Sequence, residues 1–274
     1  VTAVGGVNVK KGIQVQCGRG VKIGDLEIKA HNAGHILGSV QYEVASPEGS
    51  LVYTGDFNFT DTWTMRAAEA PSCDVLVVEA TFGSPGFVFP SKELISAEVV
   101  QWAVGSIKGG RTPVFQADSM GNAQELIRIF NTLTTLPVVT HPSVTRINEV
   151  YESHGHTLNY ADLGSEENFQ HKLGKHVLIV PKRLNLPEDP KLNVAYASGW
   201  ALRLKGERKP FLLSDHADFP QLLRFVEEIR PRLVLTCHGG RFNETLARYV
   251  SKELKIEARP LRLIPTTLIS THEK

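Results

Sequence analysis

The sequence is poor in the features that mark secreted and membrane proteins. Its 274 residues include three cysteines, Cys17, Cys73 and Cys237, and no C-x-x-C pair, so neither a disulfide framework nor a zinc knuckle is indicated. No apolar run of about 18 residues occurs, and residues 1–9 lack the basic and apolar stretches of a secretory signal. We therefore expect a cytoplasmic protein that does not enter a membrane.

Net charge gives no indication of a partner. Thirty basic residues stand against 29 acidic ones, and the formal charge is +1. An apolar fraction of 42% and a charged fraction of 22% are ordinary for a globular protein of one large domain or two smaller ones. Any surface that binds phosphate groups must therefore be local.

The pattern of apolar residues divides the chain into three parts. Over residues 1–90, short alternating segments separated by turns predict β structure, which closes with the continuous apolar run 74–80 of a covered strand. Over 91–200, strand patterns alternate with helix patterns, which is typical of a parallel sheet. Strands and helices alternate again over 201–274, with the last helix expected over residues 243–254. This order predicts one domain inserted within another.

Four segments place histidine or aspartate directly after an apolar strand and beside small residues. Strand ends are where α/β folds build their sites, and small neighbours let the backbone approach a ligand closely. Histidine and aspartate are also the ligands of catalytic zinc. The segments contain His35 (AGHILGS), Asp56 (TGDF), His216 (SDHAD) and His238 (TCHGG). Five other histidines are expected to be hydrogen-bonded packing residues: His31, His141, His171, His176 and His272.

In order and spacing these segments resemble the metallo-β-lactamase superfamily, and its β-CASP nucleases in particular. In that family a G-H-x-L-G-S segment supplies a metal-binding histidine, matched by His35, and G-D-F supplies a bridging aspartate, matched by Asp56. An acidic residue that closes a strand before a T-Y-G-like segment is matched by Glu79 in EATFG, with Phe in place of Tyr. An H-A-D segment and a strand-ending H-G supply two further histidines, matched by His216 and His238.

The resemblance covers nearly the whole chain and implies its architecture. It implies an α/β protein: an incomplete metallo-β-lactamase αββα sandwich that carries an inserted α/β (β-CASP) domain. The metallo-β-lactamase domain would occupy residues 1–90 and 201–274, and the β-CASP domain residues 91–200. The compact insertion resembles that of prokaryotic RNA-processing and exonuclease members.

The resemblance also implies zinc-dependent hydrolysis of phosphodiester bonds in single-stranded RNA or DNA. Two zinc ions in the complete protein, bridged by Asp56 and with His35 and His238 as one ligand each, would activate a water molecule. His216 would protonate the leaving oxygen, and Glu79 would hold and charge its imidazole. The implied catalytic residues are thus His216, Glu79 and Asp56, and the implied metal ligands are His35, Asp56 and His238.

Two segments of the middle part could contact nucleic acid. The G-x-A-Q run resembles the family's strand-to-helix turn, where amides at Ser119 and Gly121 and the helix dipole would hold a phosphate, although Ser119 could equally be a helix cap. A second run resembles the family's segment before the return to the first domain, and it contains Ser198 and Trp200, the latter a stacking surface or a packing residue. Six cations could line the cleft or be ordinary surface charges: Lys182, Arg183, Arg203, Lys205, Arg208 and Lys209.

The match fails at the family's main metal motif, H-x-H-x-D-H, which should precede His35 by a long stretch. Only 34 residues stand before His35, and His31 is the one histidine among them. The nearest imitation, the segment His154-Gly155-His156, lacks the D-H pair and is expected to be a surface loop. Because a catalytic zinc needs three protein ligands, we expect this chain to bind zinc weakly or not at all.

Three explanations for the missing motif stay open: truncation of a longer enzyme, a natural non-catalytic relative, or a second polypeptide that supplies the motif. The retained motif residues and a first residue other than Met favour truncation. The rival functions are a non-catalytic nucleic-acid-binding scaffold and a metallo-hydrolase of small esters. The inserted domain and the pairing of Glu79 with His216 argue against the small-ester hydrolase. RNA or DNA, endo- or exonuclease action, and a homodimer are left open.

Overall fold

The computed structural model describes residues 12–13, 15–164, 175–204, 206 and 208–261. His171, His272 and Lys205, named above from the sequence, lie outside the described residues, as do the two outer ends of the first and third parts. Within the described ranges, no helix has the length and apolar character needed to cross a membrane.

Strands and helices follow one another in the order that the sequence pattern indicates. In chain order they are β1 (Gly20–Ile23), β2 (Leu26–Asn32), β3 (Val40–Ser46), β4 (Gly49–Tyr53), β5 (Val75–Glu79), α1 (Lys92–Lys108), β6 (Thr112–Ala117), α2 (Asn122–Leu133), β7 (Val138–Thr140), α3 (Pro142–Ser153), β8 (Ala161–Asp162), β9 (Val177–Pro181), β10 (Leu192–Ala197), a 3-10 turn (Gly199–Arg203), β11 (Lys209–Phe211), α4 (Phe219–Ile229), β12 (Leu233–Cys237), α5 (Phe242–Tyr249), a π-helical turn (Val250–Leu254) and β13 (Glu257–Pro260).

A seven-stranded sheet contains strands from both the beginning and the end of the chain. Its order is β1-β2-β3-β4-β5-β12-β13. The first four strands form an antiparallel meander, whereas β4, β5, β12 and β13 run parallel. Because β5 pairs directly with β12, Glu79 lies opposite Cys237, and the two strands end at the same edge.

Helix α4 covers one face of this sheet. It begins after Asp218, whose side chain accepts a hydrogen bond from the Gln221 amide, and it ends at Arg230 in the left-handed conformation. Its stripe of Leu222, Phe225 and Val226 is fully buried against the strands. Burial of such side chains contributes roughly 1.5–3 kcal/mol each. On the opposite face of this sheet, Tyr42 is 43% exposed and Tyr53 is 44% exposed.

The second sheet is parallel throughout its described strand pairs and is buried on both faces. Its order is β11-β10-β6-β9-β7-β8, with α1, α2 and α3 between successive strands. Phe115, Phe130 and Ile179 lie in its core. Near-continuous apolar strands are what a sheet covered on both faces requires. The predicted α/β fold, an incomplete sandwich with an inserted α/β domain, is confirmed.

Two boundaries differ from the sequence-based expectation. The second sheet extends to Phe211, past the boundary drawn at residue 200, because β11 pairs in parallel with β10. The helix expected over residues 243–254 is α-helical only to Tyr249, and its last turn is π-helical, ending at Lys255 with a φ of 58°. Neither difference moves a predicted site residue.

A buried carboxylate joins the two sheets. Glu125 of α2 accepts hydrogen bonds from the amides of Trp63 (2.7 Å) and Thr64 (3.0 Å) and from the Thr64 hydroxyl (2.9 Å). Burial raises the pKa of Glu125 and outweighs these hydrogen bonds, which lower it. The loop between β4 and β5 is therefore held against the inserted domain, next to the cleft described below.

Candidate active site

The five motif residues selected from the sequence lie together where the parallel strands of the first sheet end. His216 Nδ1 lies 2.9 Å from Glu79 Oε1, and His238 Nδ1 lies 2.7 Å from Asp56 Oδ1. The rings of His35 and His216 are 4.4 Å apart between centroids. Asp56, Glu79 and His216 each offer a ligand atom within 4.8 Å of the other two. Segments far apart in sequence thus form one continuous site.

Small residues let these strand ends approach one another. A Cβ atom at Gly239 would lie 2.1 Å from the carbonyl oxygen of Ala80, the residue that follows β5. Only glycine fits so close to another backbone segment. The preceding residue, His238, adopts a φ of 60°, which directs the chain out of β12 beside Asp56.

The contact between Glu79 and His216 is buried and well bonded. Glu79 is 1% exposed, and besides His216 it accepts hydrogen bonds from the amides of Phe57 (3.1 Å) and Thr81 (3.1 Å). Burial would raise the pKa of Glu79, but the charge of His216 and these hydrogen bonds lower it. Burial would likewise lower the pKa of His216, but the carboxylate of Glu79 raises it to about 9. His216 is therefore charged at neutral pH, with Nδ1 fixed by Glu79.

The contact between Asp56 and His238 lies at the open end of the site. The side chain of His238 is exposed, and that of Asp56 is partly exposed. Cys237, between the two strand ends, is a poor metal ligand because burial, with Glu79 and Asp56 nearby, raises the pKa of its thiol to about 11. This half of the site therefore offers one imidazole and one carboxylate.

Asp215 also belongs to the site, although the sequence analysis did not select it. Its backbone carbonyl accepts a hydrogen bond from His35 Nδ1 (2.9 Å). Its carboxylate Oδ1 lies 3.8 Å from His35 Nδ1 and 4.0 Å from His216 Nε2, beyond hydrogen-bonding distance. Burial raises the pKa of Asp215, against the opposing effect of the two imidazoles. The available sequence signal was its position in SDHAD, directly before His216.

The residues of this chain do not by themselves fit two zinc ions. Their imidazoles and carboxylates are the right kind of donor, but each ion would need three protein ligands. Among the described residues, the groups with converging ligand atoms are His35–Asp215–His216 and Asp56–Glu79–His216. Neither group contains His238, whose Nδ1 instead contacts Asp56.

A cleft of about 400 Å³ between the two sheets opens beside His35 and His216. Ser119, Ser198 and Trp200, three of the predicted nucleic-acid contacts, line it. Lys182 also lines the cleft and forms an ion pair with Asp118 there.

Gly121 has a different role from the predicted one. Its amide donates to Gln124 Oε1 (2.8 Å), so it is not free to bind a phosphate. Gly121 has a φ of 90°, and a Cβ atom there would lie 2.1 Å from Asp215 Oδ2. Its lack of a side chain therefore allows the start of α2 to pack against Asp215. Ser119 does not cap α2, because Gly121 occupies the N-cap position.

Trp200 both packs and faces the cleft. Its ring lies 4.8 Å from that of Phe82 and 5.4 Å from the guanidinium of Arg203, measured to ring centroids, while the residue remains 37% exposed. Ser198 Oγ accepts a hydrogen bond from the Trp200 amide and caps the 3-10 turn. Lys209, another predicted cleft cation, instead lies over the ring of Phe211.

Among the described residues, His31, His141 and His154 are held outside the site. His31 is buried between Glu43 and Glu69, at 2.7 and 3.3 Å. His141 caps α3, accepting a hydrogen bond from the Ser143 amide. His154 is exposed in the loop after α3, which confirms the prediction of a surface loop there.

Comparisons with known proteins agree with this geometry. A family model described as "Zn-dependent metallo-hydrolase RNA specificity domain" matches residues 201–260. A probable DNA ligase from Opitutus terrae is 33% identical over 238 residues, which are 81% of this chain and 22% of that protein. An RNase J-like protein from Methanocaldococcus jannaschii is 25% identical over 288 residues, covering 85% of this chain and 68% of that protein.

A solved structure shares the fold. The crystal structure of a protein of unknown function from Enterococcus faecalis V583 superposes with a TM-score of 0.62 and 16% identity, over 93% of this chain and 66% of that one. This chain spans less than a quarter of the ligase and about two thirds of the other two proteins. With the motif residues gathered at one sheet edge beside an inserted α/β domain, these matches show that the chain is similar to the β-CASP metallo-β-lactamase nucleases.

Proposed function

We propose that the complete protein is a zinc-dependent hydrolase of phosphodiester bonds in single-stranded nucleic acid, with RNA as its first candidate substrate. The observation that carries this proposal is the buried Glu79–His216 pair beside a cleft between two domains. The RNA specificity described for the matching family model and the RNase J-like relative support the choice of RNA.

His216 is the residue that donates a proton to the leaving oxygen. Glu79 holds Nδ1 and keeps the imidazole charged, so Nε2 carries a proton on the side of Asp215, which lines the cleft. A positioned acid of this kind contributes about 10²–10⁴-fold to the rate. Glu79 stays ionised beside it because its own pKa is lowered.

The cleft binds the strand next to this proton donor. Trp200 offers an exposed ring on which a base can stack, a contact worth about 1–3 kcal/mol. Lys182 supplies a cation on the same wall, shared with Asp118. Zinc dependence is part of the proposal because the matching family is described as zinc-dependent, but no step is assigned to zinc because this chain does not complete the two-ion centre.

Single-stranded DNA is the second candidate substrate. The observation that favours it is the 33% identity to a stretch of a probable DNA ligase, a higher identity than that to the RNase J-like protein. Ser198, Ser119 and Trp200, which line the cleft, offer hydroxyl and ring contacts that suit either sugar.

A cleavage assay tests the proposal. The full-length protein with zinc is given end-labelled single-stranded RNA, DNA of the same sequence and a small phosphodiester. We expect cleavage of RNA or DNA well above that of the small phosphodiester, with a loss of about 10²–10⁴-fold in the His216→Ala variant at unchanged zinc content. His154→Ala, in the exposed loop after α3, is the matched control and should keep the wild-type rate. Equal rates for His216→Ala and wild type would refute the proton-donor role.

A further inference from the structure

We propose that Arg203 and Arg241 form a phosphate-binding strip, which continues the cleft past Trp200 and receives the backbone of single-stranded nucleic acid. The inference rests on the proposed function and extends it to a surface outside the cleft. Trp200 lines the cleft, whereas Arg203 ends the 3-10 turn and Arg241 directly precedes α5, and both arginines are exposed. The strip thus combines two segments that are far apart in the chain.

Aromatic rings hold both guanidinium groups in place. The central carbon of the Arg203 guanidinium lies 5.0 Å from the ring centroid of Phe87 and 5.1 Å from that of Phe242. The ring of Trp200, on the side of the cleft, is 5.4 Å away. The guanidinium of Arg241 lies 5.2 Å from the ring centroid of Phe242. Phe242 therefore contacts both arginines and links Arg241 to the wall of the cleft.

The two phenylalanine rings serve as a platform and cannot stack on bases. Phe87 and Phe242 are buried, and they form an aromatic cluster with Phe82. A guanidinium that lies over a ring face is attracted to it and keeps the N–H groups at its edge free. The strip therefore offers its contacts to phosphates, and the position for base stacking is Trp200 at its start.

The positive charge of the strip is not neutralised by carboxylates of the described residues. In that part of the chain, the ion pairs of lysine and arginine are Lys182–Asp118, Lys252–Glu253 and Arg259–Glu257. Neither Arg203 nor Arg241 takes part in one. A guanidinium stays charged and can donate two parallel hydrogen bonds to the oxygens of one phosphate. The two arginines therefore supply a free charge that Lys182, which is shared with Asp118, does not.

A surface of this kind recognises the backbone and not the sequence of the strand. Its affinity comes from charge, so it should fall steeply with salt and depend little on the bases. Arg241 is three residues from His238, at the open end of the site. A strand that stacks on Trp200 and then follows Arg203 and Arg241 would therefore be held along the edge of the site.

Binding of labelled single-stranded RNA to the full-length protein in the presence of a chelator, followed by fluorescence anisotropy, tests the strip. We expect Arg203→Gln and Arg241→Gln each to weaken the affinity by about threefold to tenfold, for oligo-U and oligo-A alike. Each should also reduce the slope of the logarithm of the binding constant against the logarithm of salt concentration by about 0.7, which corresponds to one phosphate contact with a single strand.

Arg248→Gln is the matched control. Arg248 is exposed in the last turn of α5, so the variant removes the same charge from the helix that Arg241 precedes. It should leave the affinity and the salt dependence unchanged. Circular dichroism and thermal unfolding check that each variant folds. If Arg203→Gln does not fold, Arg203→Lys replaces it, and this variant should lose part of the affinity while the salt slope is kept, because it keeps the charge without the planar fork.

The outcomes separate the strip from the proposed function. Unchanged affinity in both arginine variants, with a loss in Trp200→Ala, overturns the strip and leaves the cleft as the binding surface. A wild-type protein that binds no single-stranded RNA or DNA also overturns it, whereas the proposed function is decided by cleavage and its loss in His216→Ala. Polyglutamate binding that is lost in the two arginine variants, with RNA binding retained, would assign the strip to an acidic protein instead.

Discussion

The two sides of His216 differ in how closely they are packed. On the Glu79 side, the imidazole meets a carboxylate at 2.9 Å, and that carboxylate accepts two further amide hydrogen bonds. On the Asp215 side, the nearest carboxylate oxygen is 4.0 Å away. On the Glu79 side, which we call the closed side, hydrogen bonds hold the imidazole. On the Asp215 side, which we call the open side, Nε2 lies beyond hydrogen-bonding distance of the carboxylate, and both residues line the cleft.

The difference follows from where each acid lies. Glu79 ends a strand that pairs with β4 and β12, so its backbone is fixed from both sides. Asp215 lies in a loop, and its carboxylate is placed by contact with Gly121 of the inserted domain. The closed side therefore belongs to one sheet, and the open side depends on how the two domains meet.

The largest effect on stability should come from removing the carboxylate on the closed side. Glu79→Gln leaves a buried imidazolium without its counter-charge and replaces one acceptor oxygen by an NH₂ donor that faces a donor, so it should lower the free energy of unfolding by about 3–5 kcal/mol. Asp215→Asn, the same change on the open side, should alter it by less than about 1 kcal/mol, because the contacts it weakens are long. Urea unfolding at neutral pH measures both. Equal costs would contradict the comparison.

A smaller effect is expected where the inserted domain contacts the open side. Gly121→Ala forces a Cβ atom against the Asp215 carboxylate at a φ of 90°, and it should cost about 2–4 kcal/mol. Gly155→Ala is the control, since Gly155 has a φ of 88° but no atom within 4 Å of the added Cβ, and it should cost about 1–2 kcal/mol. If the two variants unfold at the same urea concentration, the contact with Asp215 does not constrain α2.

The smallest effect should appear in the cleft next to the open side. Trp200→Ala removes the exposed ring and should weaken binding of single-stranded RNA by about 1–3 kcal/mol, measured by fluorescence anisotropy in the presence of a chelator. Leu202→Ala, on the same 3-10 turn and also exposed, should leave the affinity unchanged. Equal affinities for Trp200→Ala and wild type would show that Trp200 is a packing residue only.

Much of the closed side could be predicted from the sequence. The apolar run that ends at Glu79 predicts a covered strand, and the order of the motifs predicts which loops meet it. Local pattern is informative here because strand pairing fixes both the register and the direction of the side chain. Glu79 and His216 could therefore be predicted from two things together: the chemistry of their side chains and their positions after apolar strands.

The open side could not be predicted in the same way. The role of Asp215 depends on a contact with Gly121, and no local pattern encodes a contact between residues so far apart in the chain. The same contact, together with the bond from the Gly121 amide to Gln124, removes the free amide that the turn sequence had indicated. Likewise, the pairing of β11 with β10 is a long-range choice that the short segment Lys209–Phe211 does not specify.

The protonation state of His216 tests the account most directly. NMR titration of the isotopically labelled chain in the presence of a chelator follows its imidazole, and the spectrum of His216→Ala assigns the signal. The account predicts that His216 keeps its charge at neutral pH, because the Glu79 carboxylate raises its pKa to about 9, and that Glu79→Gln lowers this pKa. A His216 imidazole that is neutral at pH 7 in the unsubstituted chain would contradict it.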